Sequence, residues 1–329
     1  MRRPVLGILV LFGVLSVALA GCQAPAGDDG GASGPAVTVS GKLGTATIAG
    51  KPKRVVAMSW TDADFPLALG IKPVGMARVP TREDGIQPWT KEALGATQPT
   101  LFDVNKGDPI DQVAALKPDL IVATKDYNLK DSYDRLSKLA PVISYDTAPN
   151  SDSWQDSLTK VGTATGKSDQ AEAAIAATDK RIADAAKANP DLAGKTFSFG
   201  VQPGKESLYV VNSTDDVTAR LLVALGMRLN PTVTSLPTSS IPGRAQLSYE
   251  NLQAMDADVV LVTGTGSTLA NFSENPVAKS LNAVRRGAYI PLQPTPAQAM
   301  AFPSSESLDW VLDTVVPQLV TAAKRPAQP

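Results

Sequence analysis

The stretch "DQVAALKPDLIVAT" (residues 111–124) returns as "ENLQAMDADVVLVT" (residues 250–263), 139 positions further along the chain. Aligned at that offset, 11 of 14 positions are identical or conservative, and each copy opens on a carboxylate, Asp111 or Glu250. Apolar residues at helical spacing, Val113 and Leu116 or Leu252 and Met255, predict a short amphipathic helix closed by Pro118 or a polar turn. The four apolar residues that follow, 120–123 and 259–262, predict a strand covered on both faces, as in a parallel sheet. "LALG" (67–70) and "VALG" (223–226) form a second echo upstream, each with a glycine where a left-handed helix C-cap would place one. The parts keep the same order in both halves, so the sequence predicts an α/β protein of two Rossmann-like lobes built on parallel sheets.

"SDQAEAAIAATDKRIADAAKANP" (168–190) lies between the halves. Ser168 is placed to cap a helix, Ala171, Ala174, Ile175, Thr178, Ile182, Ala185 and Ala186 share one side of it, and Asn189 with Pro190 stops it. A helix of about 20 residues spans roughly 30 Å and would join the lobes stiffly. The expected division is an N-terminal lobe over 37–165, a linking helix over 166–190 and a C-terminal lobe over 191–329, with a ligand cleft between the lobes.

Residues 1–21 read as a secretion signal: Arg2 and Arg3, an apolar run over 5–20, then "LAGC" ending at Cys22. The run falls short of the roughly 20 apolar residues of a membrane span, although an uncleaved anchor is the alternative. Cys22 is the only cysteine, so no disulfide can form within the chain, and its place at the cleavage point marks it for lipidation such as palmitoylation. Residues 22–36, rich in Gly, Ala, Pro and Asp, read as a flexible tether. The expected location is the outer face of a bacterial cytoplasmic membrane.

Of 31 basic residues, Arg2 and Arg3 belong to the signal, which leaves 29 against 32 acids and no basic tract; nucleic acid is not an expected partner. The chain has no histidine, which removes Ser-His-Asp triads, His-paired cysteines and His-based zinc sites. Carboxylate-only catalysis, as in glycosidases, survives as an alternative.

Four segments, 52–75, 110–124, 247–263 and 301–319, together resemble the bacterial ABC-transporter substrate-binding lipoproteins for iron-siderophores and cobalamin, the helical-backbone periplasmic binding proteins. The resemblance covers nearly the whole chain after Cys22. It implies a monomeric, non-catalytic protein that captures a ferric siderophore and delivers it to a permease dimer for iron uptake, with cobalamin or haem as the alternative cargo. It also implies that one acid on each lobe, here Asp111 and Glu250, docks on the permease. Asp111 stands where Glu is usual and has the shorter reach. A plainer reading is that both acids only complement helix dipoles, with Asp108 as N-cap and Pro109 as first helical residue.

A ferric siderophore brings its iron already coordinated, so no directly bound metal or other cofactor is expected, and the site calls for cations beside aromatic faces. Residues at strand-end loops are the candidates: Trp60, Arg78, Trp89, Lys125 and Tyr127 in the first lobe, Tyr209, Arg244 and Phe302 in the second. Each also has a plainer reading, as a packed aromatic or a solvated charge. Trp310 reads as core, and Asp215 with Asp216 as a turn or helix cap. If the docking reading holds, exchanging Asp111 and Glu250 together for Arg abolishes cellular uptake while ligand binding in solution persists; unimpaired uptake would contradict it.

Overall fold

The computed structural model describes residues 36–204 and 208–326, so the signal, Cys22 and nearly all of the tether lie outside the described residues. After an antiparallel hairpin, Val37–Gly41 with Gly44–Ile48, the first lobe is a five-stranded parallel sheet. Its order is Thr100–Phe102, Gly75–Ala77, Val55–Ala57, Leu120–Ala123, Val142–Ser144. All four residues of Leu120–Ala123 are buried, as helices on both faces require.

The second lobe repeats the parallel core with Arg228–Leu229, Thr196–Gln202, Val259–Gly264 and Tyr289–Leu292. The sheet is mixed rather than wholly parallel, because Leu208–Val211 turns back antiparallel on Thr196–Gln202 and Arg244–Leu247 pairs antiparallel with it in turn. Only residues 203–207 separate the first two of these strands, too few for a parallel crossover.

The repeat has a structural counterpart at its one shared acid. In each lobe the repeat's strand lies beside the lobe's first core strand, Leu120–Ala123 on Val55–Ala57 and Val259–Gly264 on Thr196–Gln202. Asp119 accepts from the backbone N–H groups of Lys53 and Arg54 (2.7 and 2.8 Å), and Asp258 from the N–H and Oγ1 of Thr196 (2.8 and 2.9 Å). Each carboxylate thus satisfies donors at the start of the neighbouring strand.

The helical part of the repeat is α-helix in the first copy, Ile110–Ala115, and 3₁₀ in the second, Tyr249–Met255. Val113, Leu252 and Met255 are buried as expected. Pro109, not Asp108, is the N-cap; Asp108 is drawn aside to accept from Ser132 Oγ and from Asn128 Nδ2 (3.4 Å).

Gly70 and Gly226 follow helices Trp60–Ala68 and Val217–Ala224 at φ of 72° and 89°. Gly70 N–H donates to Leu67 O (2.8 Å) and Gly226 N–H to Val223 O (2.9 Å), while Ile71 and Met227 reach back to Pro66 O and Leu222 O, so both helices end alike. The linking helix runs over Ser168–Ala188, 21 residues. Its cap is Lys167 without a side-chain bond, so Ser168 is the first helical residue rather than the cap. The predicted face is its covered face, with Ala171 and Thr178 buried and Ile175, Ile182 and Ala185 packed partly into the core. Arg181 pairs with Asp309 (2.8 Å) and Asp313 (2.9 Å) of helix Ser305–Thr314.

An added Cβ at Gly70 would meet nothing within 4 Å, and at Gly226 nothing nearer than 3.6 Å. Alanine at either site therefore pays only for the left-handed backbone, about 1–2 kcal/mol. Urea unfolding should show losses of that size for Gly70→Ala and Gly226→Ala; wild-type midpoints would contradict the shared C-cap geometry.

Candidate functional site

A cleft of ≈ 680 Å³ opens between the lobes at the C-terminal ends of their strands. The first lobe contributes Thr81, Tyr127 and Asn150; the second contributes Gln202 and Thr263 to Thr265 at the ends of their strands, Arg244, and helix Pro294–Ala301 with Phe302. A smaller pocket of ≈ 250 Å³, lined among others by Trp60, Asn105, Lys125 and Asp126, adjoins the cleft and shares Tyr127 and Phe302 with it. Another cavity of ≈ 330 Å³ lies beside the linking helix; no strand residue lines it.

Asp62 holds the first lobe's contribution in place. It is wholly buried in helix Trp60–Ala68 and accepts from Thr124 N–H (2.9 Å), Thr124 Oγ1 (2.8 Å), Lys125 N–H (3.1 Å) and Ser59 Oγ (2.8 Å). One carboxylate therefore ties the loop carrying Tyr127 to the helix that starts at Trp60. Burial pushes its pKa up, against the pull of those hydrogen bonds.

The lobes are joined directly behind the cleft. Asp64 accepts from Trp89 Nε1 (2.9 Å), Thr90 Oγ1 (2.7 Å) and Ser304 Oγ (2.7 Å), the last from the second lobe. Gln298 Oε1 accepts from Gln87 Nε2 (2.8 Å) and Thr81 Oγ1 (3.1 Å), and Asn150 Nδ2 donates to Ala301 O (2.9 Å).

The structure brings Trp60, Lys125, Tyr127, Arg244 and Phe302 to the cleft or its side pocket. Trp60 and Phe302 meet edge to face with centroids 5.3 Å apart, and Trp60 Nε1 finds no acceptor. Tyr127 is 65% exposed, the most exposed of the large apolar side chains among the described residues. Arg244 Nε donates to Asp216 Oδ2 (3.0 Å) and its Nη2 to Thr218 Oγ1 (3.5 Å). Asp216 is also the N-cap of helix Val217–Ala224, as its sequence context suggested.

Lys125 is buried, with Nζ donating to Asp152 O (2.8 Å), and burial pulls its pKa down against the pull of Asp62. The remaining candidates stand elsewhere. Trp89 is buried behind the cleft on Asp64 and Trp310, because Pro88 starts a helix that packs inward. Arg78 is exposed and reaches Glu83 O at 3.5 Å, and Tyr209 sits within the antiparallel strand Leu208–Val211. Neither is among the residues lining the cleft or its pocket. Asp111 and Glu250 are exposed in the first turns of their helices, with no ion-pair partner among the described residues.

A family model described as "Periplasmic binding protein" matches residues 55–295. The chain belongs to that family. Among its relatives is the Fe(3+)-citrate-binding protein YfmC of Bacillus subtilis, 25% identical over 290 residues that cover 85% of this chain and 87% of the relative. A periplasmic solute binding protein from Mycobacterium smegmatis has the same fold, with TM-score 0.76, 27% identity and 88% of this chain matched to 99% of the other. PiaA of Streptococcus pneumoniae, solved in complex with ferrichrome, matches with TM-score 0.73 and 26% identity over 89% of this chain and all (100%) of that one.

Sequence reasoning missed the buried acids of this periplasmic binding protein. Burial pushes Asp64 up to about 6. It pushes Glu306 up to about 8, with Asp64's charge adding, and Asp126 up to about 8, with Asp108's charge adding. A carboxyl whose pKa is higher folded than unfolded binds more protons in the native state. Its contribution is complete below the unfolded value and is lost as pH rises through the folded one. Stability should therefore fall as pH rises from about 4 to about 8. Glu306→Gln should flatten that fall in urea midpoints; an unchanged profile would contradict the burial of this acid.

Proposed function

We propose that the chain is an extracytoplasmic solute-binding lipoprotein that captures a ferric siderophore in the interlobe cleft and hands it to an ABC-transporter permease dimer for iron uptake. The observation that carries this reading is the cleft's chemistry: one arginine with the exposed ring of Tyr127 and the half-buried ring of Phe302, between two lobes. A preformed ferric complex presents oxygen-rich, often anionic faces wrapped in organic skeleton, which a guanidinium and aromatic rings recognise without touching the metal. Among the described residues no group of three or more His, Cys, Asp or Glu side chains could hold a metal ion.

Asp216 keeps Arg244 oriented through Nε, and Nη1 has no partner among the described residues, so it is free for an acceptor on the ligand. The relatives support the cargo: YfmC is named for ferric citrate and PiaA was solved with ferrichrome. In this reading Cys22 carries the lipid that holds a monomer on the outer face of the membrane, the tether gives it reach, and Asp111 and Glu250 present one carboxylate from each lobe to the permease. No catalytic step is assigned to the cleft, where Asp216 is the one carboxylate among the lining residues and is held by Arg244.

Titration of intrinsic tryptophan fluorescence tests this reading. A ferric hydroxamate or ferric catecholate should quench saturably, cobalamin should not, and Arg244→Ala should weaken binding about tenfold or more through loss of charge-assisted hydrogen bonds. Failure of every ferric siderophore to bind, saturable binding of cobalamin alone, or turnover of a glycoside would contradict it.

A further inference from the structure

The side pocket carries a chemistry that the main cleft lacks. Trp60 and Phe302 stand at 71° to each other and form a corner, and Tyr127 adds a third ring where the pocket meets the cleft. Asp126 lines the same pocket and is only 2% exposed. Its Oδ1 accepts from Asn128 N–H (2.9 Å), while its Oδ2 meets no donor. Asp108 and Asp62 lie near enough for their charges to act on it. Lys125 lines the pocket as well; its Nζ donates to Asp152 O, and burial pulls its pKa down, which weakens it as a competing cation. Burial and the neighbouring Asp108 push Asp126 up to about 8, so without a ligand a proton answers its Oδ2, and a cation held beside the aromatic corner can take the proton's place.

We propose that this pocket is a subsite for an alkylammonium group carried on the ligand's organic skeleton. The proposal rests on the reading of the cleft as a siderophore site and narrows it to complexes with a cationic arm. At ≈ 250 Å³ the pocket falls below the roughly 300–1,000 Å³ of sites that enclose a whole ligand, so it fits an arm while the ferric complex occupies the cleft. The ammonium takes the place of the proton on Asp126, which leaves to solvent, and the ring faces of the corner attract the charge. An anionic arm would meet the same acids with the wrong sign.

The test uses two ferric trihydroxamates that differ only at one terminus, a free primary amine in one and its N-acetyl amide in the other. Both are titrated into the lipid-free mature chain by calorimetry. The free amine should bind about tenfold or more tightly, the effect of one charge-assisted hydrogen bond in a buried site. Asp126→Asn should bring the two Kd values together, with folding confirmed by circular dichroism. Tyr127→Leu, at an exposed position that folding tolerates, should narrow the gap. Equal affinities in the wild type, or a gap that survives Asp126→Asn in the folded protein, would overturn the subsite alone. Binding of neither complex would overturn the siderophore reading and the subsite with it.

Discussion

Asp64 accepts hydrogen bonds from Trp89, Thr90 and Ser304, so one buried carboxylate joins two helices of the first lobe to the N-terminus of a helix in the second. Ser304 caps helix Ser305–Thr314 through a reciprocal box with Ser307, and that helix also packs on the linking helix. Three donors within 2.9 Å are what a carboxylate needs in order to be enclosed at all. Removing one of these donors from a buried carboxylate costs roughly 1.5–3 kcal/mol.

The position of Phe302 follows from this seam. The residue before it, Ala301, is held through its carbonyl by Asn150, and Ser304 two residues later is held by Asp64. Phe302 is thus fixed from both sides by bonds to the opposite lobe, which sets its edge-to-face contact with Trp60 and the wall shared by cleft and side pocket. Opening the lobes along this seam would break the bonds of Asp64, Gln298 and Asn150 together. The linking helix adds a second restraint through Arg181 and its two aspartates. A cleft braced in this way is largely formed before a ligand enters, which reduces the ordering cost of binding.

The repeated unit, the paired C-cap glycines and the covered face of the linking helix were legible because each is local: spacing and residue type encode them within about 20 residues. Asp119 and Asp258 were legible as a matched pair but not as a device, because their partners Lys53, Arg54 and Thr196 start other strands. The antiparallel hairpin of the second lobe was signalled only by the short interval over 203–207. Tyr127 and Trp60 could be placed from chain order, since residues after strand ends in α/β lobes face the crevice, whereas Arg244 opens a strand and Phe302 follows a helix. Trp89 could not, because its indole N–H is claimed by Asp64 across the first lobe. The acids in "WTDADF" carried a weak signal, being polar residues in an otherwise apolar helix. Their meaning depends on Ser304, 240 residues away. Asp126 was passed over between Lys125 and Tyr127, since the expected cargo calls for cations rather than acids.

The central claim is that a ferric complex sits between the lobes at the strand ends, recognised by side chains that do not ligate its iron. A crystal structure of the chain with a bound ferric siderophore tests it most directly. The account predicts iron density in the cleft bounded by Tyr127, Arg244 and Phe302, with Arg244 donating to the ligand and no protein atom in the iron's coordination sphere. Iron density in the cavity beside the linking helix, near Ile182 and Arg220, or iron coordinated by a protein side chain, would contradict it.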